Sequence, residues 1–187
     1  FSYDLPCVII CRGMKAPQEL LEEAKAEFAA IKDMNDEPRK NMGLIAVSIG
    51  RGMNEIFKGL GVDYLVEGGQ TMNPSTEDML SAIAHVNADN IFIFPNNKNI
   101  IMAANQARDL TKDKNIVIIP TTTVPQGVSA IICFNPEGDV ADNEETFKGI
   151  ISNVKTGQIT YAVRDTKING IEVHKEDIMG MDDDGIK

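Results

Sequence analysis

Four short runs of consecutive apolar residues recur along the chain, each followed by Gly, Asn, Thr or Pro: LIAVSIG at 44–50, VDYLVEGG at 62–69, NIFIFPNN at 90–97 and NIVIIPTT at 115–122. Continuous rather than alternating hydrophobicity means that both faces of a strand are covered, as in parallel strands flanked by helices. Between the runs the apolar spacing becomes helical. Residues 52–60 form a short amphipathic segment, 75–86 open on Ser75-Thr76-Glu77-Asp78 and continue as MLSAIAHV, and 98–110 read KNIIMAANQARDL. Ser75 can cap the free N–H groups of a first turn, and Glu77 and Asp78 complement the helix dipole. Strand and helix alternate across short links, and right-handed crossovers then give an α/β fold with a doubly wound, mainly parallel, Rossmann-like sheet of four or more strands.

The flanks read differently. Residues 1–40 suggest a strand (CVII), a helix (APQELLEEAKAEFAAIKDM) and a polar link, NDEPRKNMG, which is the best domain boundary. Beyond residue 124, VPQGVSAIICF predicts a buried helix and ETFKGIISNV an amphipathic one. From 157 onward, short β-forming pieces separated by Ile-Asn-Gly and Asp-Asp-Gly turns predict an antiparallel β appendage. The expected organisation is a remnant of a preceding domain at 1–40, an α/β domain at 41–156, and a truncated β-rich extension of that domain at 157–187.

Composition narrows the function. With 187 residues, 43% hydrophobic and 25% charged, the chain can bury a core without a disulfide or metal staple. Eighteen bases against twenty-eight acids give a net charge of -10, the wrong sign for nucleic acid or anionic lipid. The excess is local: 135–147 and 176–184 carry acids without a base, and the rest of the chain is balanced. Solvated loops are the ordinary reading of such windows; Asp182-Asp183-Asp184-Gly185 lacks the alternating ligands and closing Glu of a calcium loop. Three cysteines without paired spacing fit reduced thiols and a cytoplasmic setting. No window approaches the ~18 apolar residues of a membrane span.

In an open parallel sheet the ligand crevice lies at the carboxyl ends of the strands, so the loops after the four runs are expected on one rim. They read Ser48-Ile49-Gly50-Arg51-Gly52, then Gly68-Gly69-Gln70-Thr71-Met72-Asn73-Pro74 leading to Ser75, then Pro95-Asn96-Asn97-Lys98-Asn99, then Thr121-Thr122-Thr123-Val124-Pro125-Gln126-Gly127. Neutral donors and acceptors, two bases and several helix N-termini suit an anion or a polar backbone better than a metal or an acid–base pair. The same residues also build tight turns and helix caps. GRG at 50–52 is not GxGxxG and no GxxxxGK[ST] is present, so neither familiar nucleotide loop is expected. His85 on an amphipathic helix and His174 beside Lys175 read as structural. Met53, Met72, Met79 and Met102 are candidates for an apolar groove, with core packing the commoner use.

The blocks EGGQTMNPSTEDML (67–80), FPNNKNIIMAA (94–104), IPTTTVPQGVSAI (119–131) and KTGQITYAVRDTKING (155–170) occur in that order. Together they resemble the C-terminal region of the dihydroxyacetone-kinase-like proteins known as the A subunit of bacterial fatty-acid kinase, over roughly 42–187. The resemblance implies a DegV-like sheet. It also implies ATP and magnesium on a separate N-terminal domain, with no cofactor in this region, and an acyl-binding B subunit of the DegV type that presents the fatty acid. Residues 1–40 resemble the end of the family's middle domain, where a Cys and a His-x-His pair would bind zinc; here Ile10-Cys11-Arg12-Gly13 stands without the histidines. The leading expectation is a non-catalytic partner-binding region, with the rim loops and Arg164-Asp165 as its surface. The alternatives are a site for a fatty-acid carboxylate or phosphate in the crevice, and an architectural homodimerisation domain.

Overall fold

The computed structural model describes residues 18, 22, 25 and 26, which are helical, together with 38–69, 72–168, 170–182 and 185–186. The expected strand and link within 1–37, the Cys11 region, and Gln70 and Thr71 of the rim lie outside the described residues. The elements are β1 (Lys40–Ser48), α1 (Arg51–Gly59), β2 (Tyr64–Glu67), α2 (Thr76–His85), β3 (Ala88–Phe94), α3 (Ile101–Leu110), β4 (Asn115–Ile118), α4 (Val124–Ile132) and α5 (Val140–Asn153). They are followed by β5 (Gln158–Tyr161), β6 (Thr166–Ile168), β7 (Ile171–Val173), β8 (Ile178–Asp182) and β9 (Gly185–Ile186).

The four apolar runs form one parallel sheet in the order β2-β1-β3-β4. Successive side chains of a strand point to opposite faces, so β1 serves two cores. Ile45 and Val47 join Met79, Ala82 and Ile83 of α2 and Ala104 and Ala107 of α3. Met42, Leu44 and Ala46 join Phe57 of α1, Ala130 and Ile131 of α4, and Phe147 and Ile151 of α5. Helices on both faces make the sheet doubly wound. On the second face, Phe147 meets Phe92 edge-on at 5.2 Å and Phe94 at 5.3 Å. Each such ring contributes about 1.5–3 kcal/mol by burial, with about 0.5–1.5 kcal/mol more from the edge-to-face pairing.

Several boundaries differ from the sequence reading. β1 begins at Lys40 rather than 44, because Lys40 and Met42 pair with Ala88 and Asn90, which also carries the start of β3 back to 88. α3 begins at Ile101 rather than 98: Asn97 Oδ1 accepts from Asn99 N–H at 2.9 Å, and Asn97 O accepts from Ile100 N–H, so 98–100 form a turn. The carboxyl-terminal appendage is antiparallel, with sheets β5-β8-β9 and β6-β7. Among the described residues no helix is long and apolar enough to cross a membrane.

Candidate functional site

The loops at the carboxyl ends of the strands meet through one residue, Asn96. Its backbone sits at φ +54°, the left-handed region that Asn tolerates better than most residues. From there its N–H donates to Thr121 Oγ1 at 3.0 Å and its Nδ2 donates to Val47 O at 3.0 Å. Its Oδ1 lies so close to Gly127 that a Cβ there would be 2.1 Å away. Asn96 thus joins the loop after β3 to the end of β1, the loop after β4 and the first turn of α4. Because the chain leaves β1 for β2 on one side and takes up β3 on the other, the β1–β3 gap is the topological switch point, where open α/β sheets place their ligand crevice.

The loop after β2 is bound to the same rim. Gly68 N–H donates to Ser48 O at 3.0 Å, and Asn97 Nδ2 donates to Gly69 O at 3.3 Å. Gly68 has to be glycine, since a Cβ would stand 2.6 Å from Pro74 Cδ. Ser75 caps α2 in a reciprocal box with Asp78. At α4, Thr123 accepts from Gln126 N–H, and Gln126 Oε1 accepts from both Thr122 N–H (2.7 Å) and Thr122 Oγ1 (3.0 Å). Pro125 occupies the first turn of α4, where its missing N–H costs nothing.

Much of the amide and hydroxyl content of these loops therefore builds the loops themselves. Gly68, Gly69, Asn96, Asn97, Thr121 and Gly127 are drawn into one contact network, with Thr122, Pro125 and Gln126 at its α4 end. Asn73, Ser75, Lys98 and Asn99 are exposed. Arg164 and Asp165 lie in the appendage, where Asp165 Oδ1 accepts from Lys175 N–H at 2.7 Å; no described contact links them to the rim.

The rim also carries exposed apolar side chains. Ile49 (47% exposed) follows β1, Met72 (56%) lies in the loop after β2, and Met102 (70%) stands in the first turn of α3. Met79 is fully buried and Met53 packs against the core, so the four methionines divide between interior and surface. Ser48 Oγ and Asn96 Oδ1 at the rim, and Asn54 Oδ1 on α1, are buried and have no hydrogen-bond partner among the described residues. Sequence reasoning missed Asn54, and spacing offers no signal for it, since it reads as one more polar residue of an amphipathic helix.

Charge at the rim is sparse. Arg51 pairs with Glu55 at 2.9 Å, Lys98 is exposed, and Glu67 ends β2. The first turns of α1, α3 and α4 contain no acid, so their positive dipole ends are uncompensated, in contrast with α2 and its Glu77 and Asp78. Among the described residues no group of three or more His, Cys, Asp or Glu is placed to hold a metal ion.

Comparison with known proteins bears on the whole rim. The family of FakA-like C-terminal regions, those of the fatty acid kinase A subunit and its like, matches residues 43–187. Protein YloV of Bacillus subtilis (strain 168) is 43% identical over 169 residues, covering 86% of this chain and 30% of that protein. An uncharacterized protein of Staphylococcus aureus (strain USA300) is 44% identical over 143 residues, covering 76% of this chain and 26% of that protein. The chain spans less than a third of the length of these relatives. With the match running from within β1 through the appendage, the chain belongs to the FakA-like C-terminal family of fatty acid kinase A subunits.

Proposed function

We propose that this region is the non-catalytic, partner-binding part of a two-component fatty-acid kinase. It engages an acyl-binding subunit of the DegV type while ATP and magnesium are held on a separate domain of the same polypeptide. The observation that carries the reading is the mixed character of the rim: exposed Ile49, Met72 and Met102 stand among exposed neutral Asn73, Asn99 and Thr122, on loops tied rigidly together by Asn96 and Asn97. Apolar anchors in a polar, weakly charged surround are the make-up of a specific protein interface, and a tied rim is preorganised for it. Family membership supports the kinase setting. Titration of the folded chain with the acyl-binding subunit tests the reading, with Met72→Asp and Met102→Asp as the variants expected to weaken binding.

A further inference from the structure

Two unpartnered polar atoms stand at neighbouring strand ends, on Ser48 and Asn96, and a third is carried by Asn54 on the helix that follows β1. Ser48 is 1% exposed and follows Leu44 and Ala46 on the sheet face that packs against Phe57 of α1 and Ala130 and Ile131 of α4, so its hydroxyl enters the wedge between these helices. Asn54 lies one turn before Phe57, on the sheet-facing side of α1. Asn96 is 8% exposed and its carboxamide bridges Val47 O, adjacent to Ser48, and Gly127 in α4. Its orientation is fixed, since exchanging Oδ1 and Nδ2 would set two carbonyl oxygens against each other at Val47. A buried hydroxyl or amide oxygen without a partner costs about 1–3 kcal/mol, so each of these groups calls for a partner.

The surrounding backbone indicates what that is. α1 starts at this wedge with no side-chain cap and no first-turn acid, leaving its first N–H groups free to donate. Gly50 and Gly52 flank its start, and a Cβ on either would meet nothing within 4 Å, so the backbone is open to close approach. The set is therefore mixed: backbone N–H groups and the Ser48 hydroxyl donate, whereas Asn54 Oδ1 and Asn96 Oδ1 only accept. A carboxylate or sulfate offers acceptors alone and would leave the two amide oxygens unsatisfied. A phosphate that retains a P–OH offers both.

We propose that the β1–β3 switch point binds a protonated phosphate group, with the α1 N-terminus and Ser48 holding its anionic oxygens and Asn54 and Asn96 accepting from its P–OH. The proposal does not depend on the docking role of the outer rim, because it concerns the chain alone. Thermal unfolding in inorganic phosphate and in sulfate at equal ionic strength tests it; both anions stabilise proteins generally by exclusion, so the difference between them is the readout. Phosphate is expected to raise the Tm of the chain by several degrees beyond sulfate. Ser48→Ala is expected to keep or raise the Tm in phosphate-free buffer, because it removes an orphaned hydroxyl, and to abolish the phosphate-specific increment. Phosphorus NMR of the free anion gives a second reading: its line should broaden with the chain, sharpen with Ser48→Ala, and resist competition by sulfate. Equal effects of phosphate and sulfate, no effect of either, or a phosphate increment that survives Ser48→Ala would each overturn the proposal.

Discussion

Asn96 and Gly127 are fitted to each other: the Asn96 carboxamide fills the space a side chain at 127 would need, with Oδ1 2.1 Å, Cγ 2.7 Å and Nδ2 2.8 Å from the position of a Cβ. A methyl group there has to displace the carboxamide and with it the bond to Val47 O.

Gly127→Ala is therefore expected to destabilise the fold by about 2 kcal/mol despite the better helix propensity of alanine. Gly149→Ala, in the exposed interior of α5 with nothing within 4 Å of its Cβ, is the control and should stabilise by about 0.5–1 kcal/mol. Chemical denaturation of both variants checks the pair of opposite signs.

Asn143 is a second buried amide whose bonds are all made. Its Oδ1 accepts from Asn135 N–H at 2.9 Å, and its Nδ2 donates to Asn135 O at 2.9 Å and Asp139 O at 3.0 Å, closing the loop before α5. Asn143→Ala leaves these groups without a partner and should cost about 2 kcal/mol. Asn143→Asp, which sets a buried carboxylate oxygen against the Asn135 and Asp139 carbonyl oxygens, should fall below the alanine variant. Denaturation midpoints of the three proteins measure the order.

Burial of Lys114 gives the fold an expected pH dependence. Its Nζ donates to Ile83 O at 2.7 Å and Val86 O at 2.8 Å, closing the end of α2. Burial lowers its pKa from 10.5, partly offset by Asp113 and reinforced by Arg39. Between the folded value and 10.5 the unfolded chain holds a proton that the folded chain has released, so stability rises with pH across that window and is independent of this group below it. The stability difference between wild type and Lys114→Met, measured by urea unfolding from neutral pH toward 10.5, should grow in favour of the wild type. A falling difference would mean that attraction to Asp113 outweighs burial.

Most of the framework was legible in the chain because its causes are local. A strand buried on both faces has to be continuously apolar, and Ser75 caps α2 as read, while the bond that Asp78 returns to it completes a box that the reading did not name. What was not legible depends on distant partners. The polar Lys40-Asn41-Met42-Gly43 looks like a link, yet it is strand: register with β3 recruits it, and Gly43 is required because a Cβ would stand 2.5 Å from Val86 Cγ1. At the rim, the abundance of Asn, Thr and Gln was visible in the sequence, but not its division between atoms that build loops and atoms left over. Asn97 and Gln126 are consumed by Gly69, Asn99, Thr122 and Ile151, while Ser48 and Asn54 keep unpartnered oxygens.

The rim as a partner surface is tested most directly by calorimetric titration of the folded chain with the DegV-type acyl-binding subunit. Saturable binding is expected, and Met72→Asp and Met102→Asp should each weaken it at least about tenfold, equivalent to about 1.4 kcal/mol, while Ile132→Asp, an exposed apolar position at the far end of α4, leaves it unchanged. No binding by the folded chain, or binding indifferent to both rim substitutions, would contradict it.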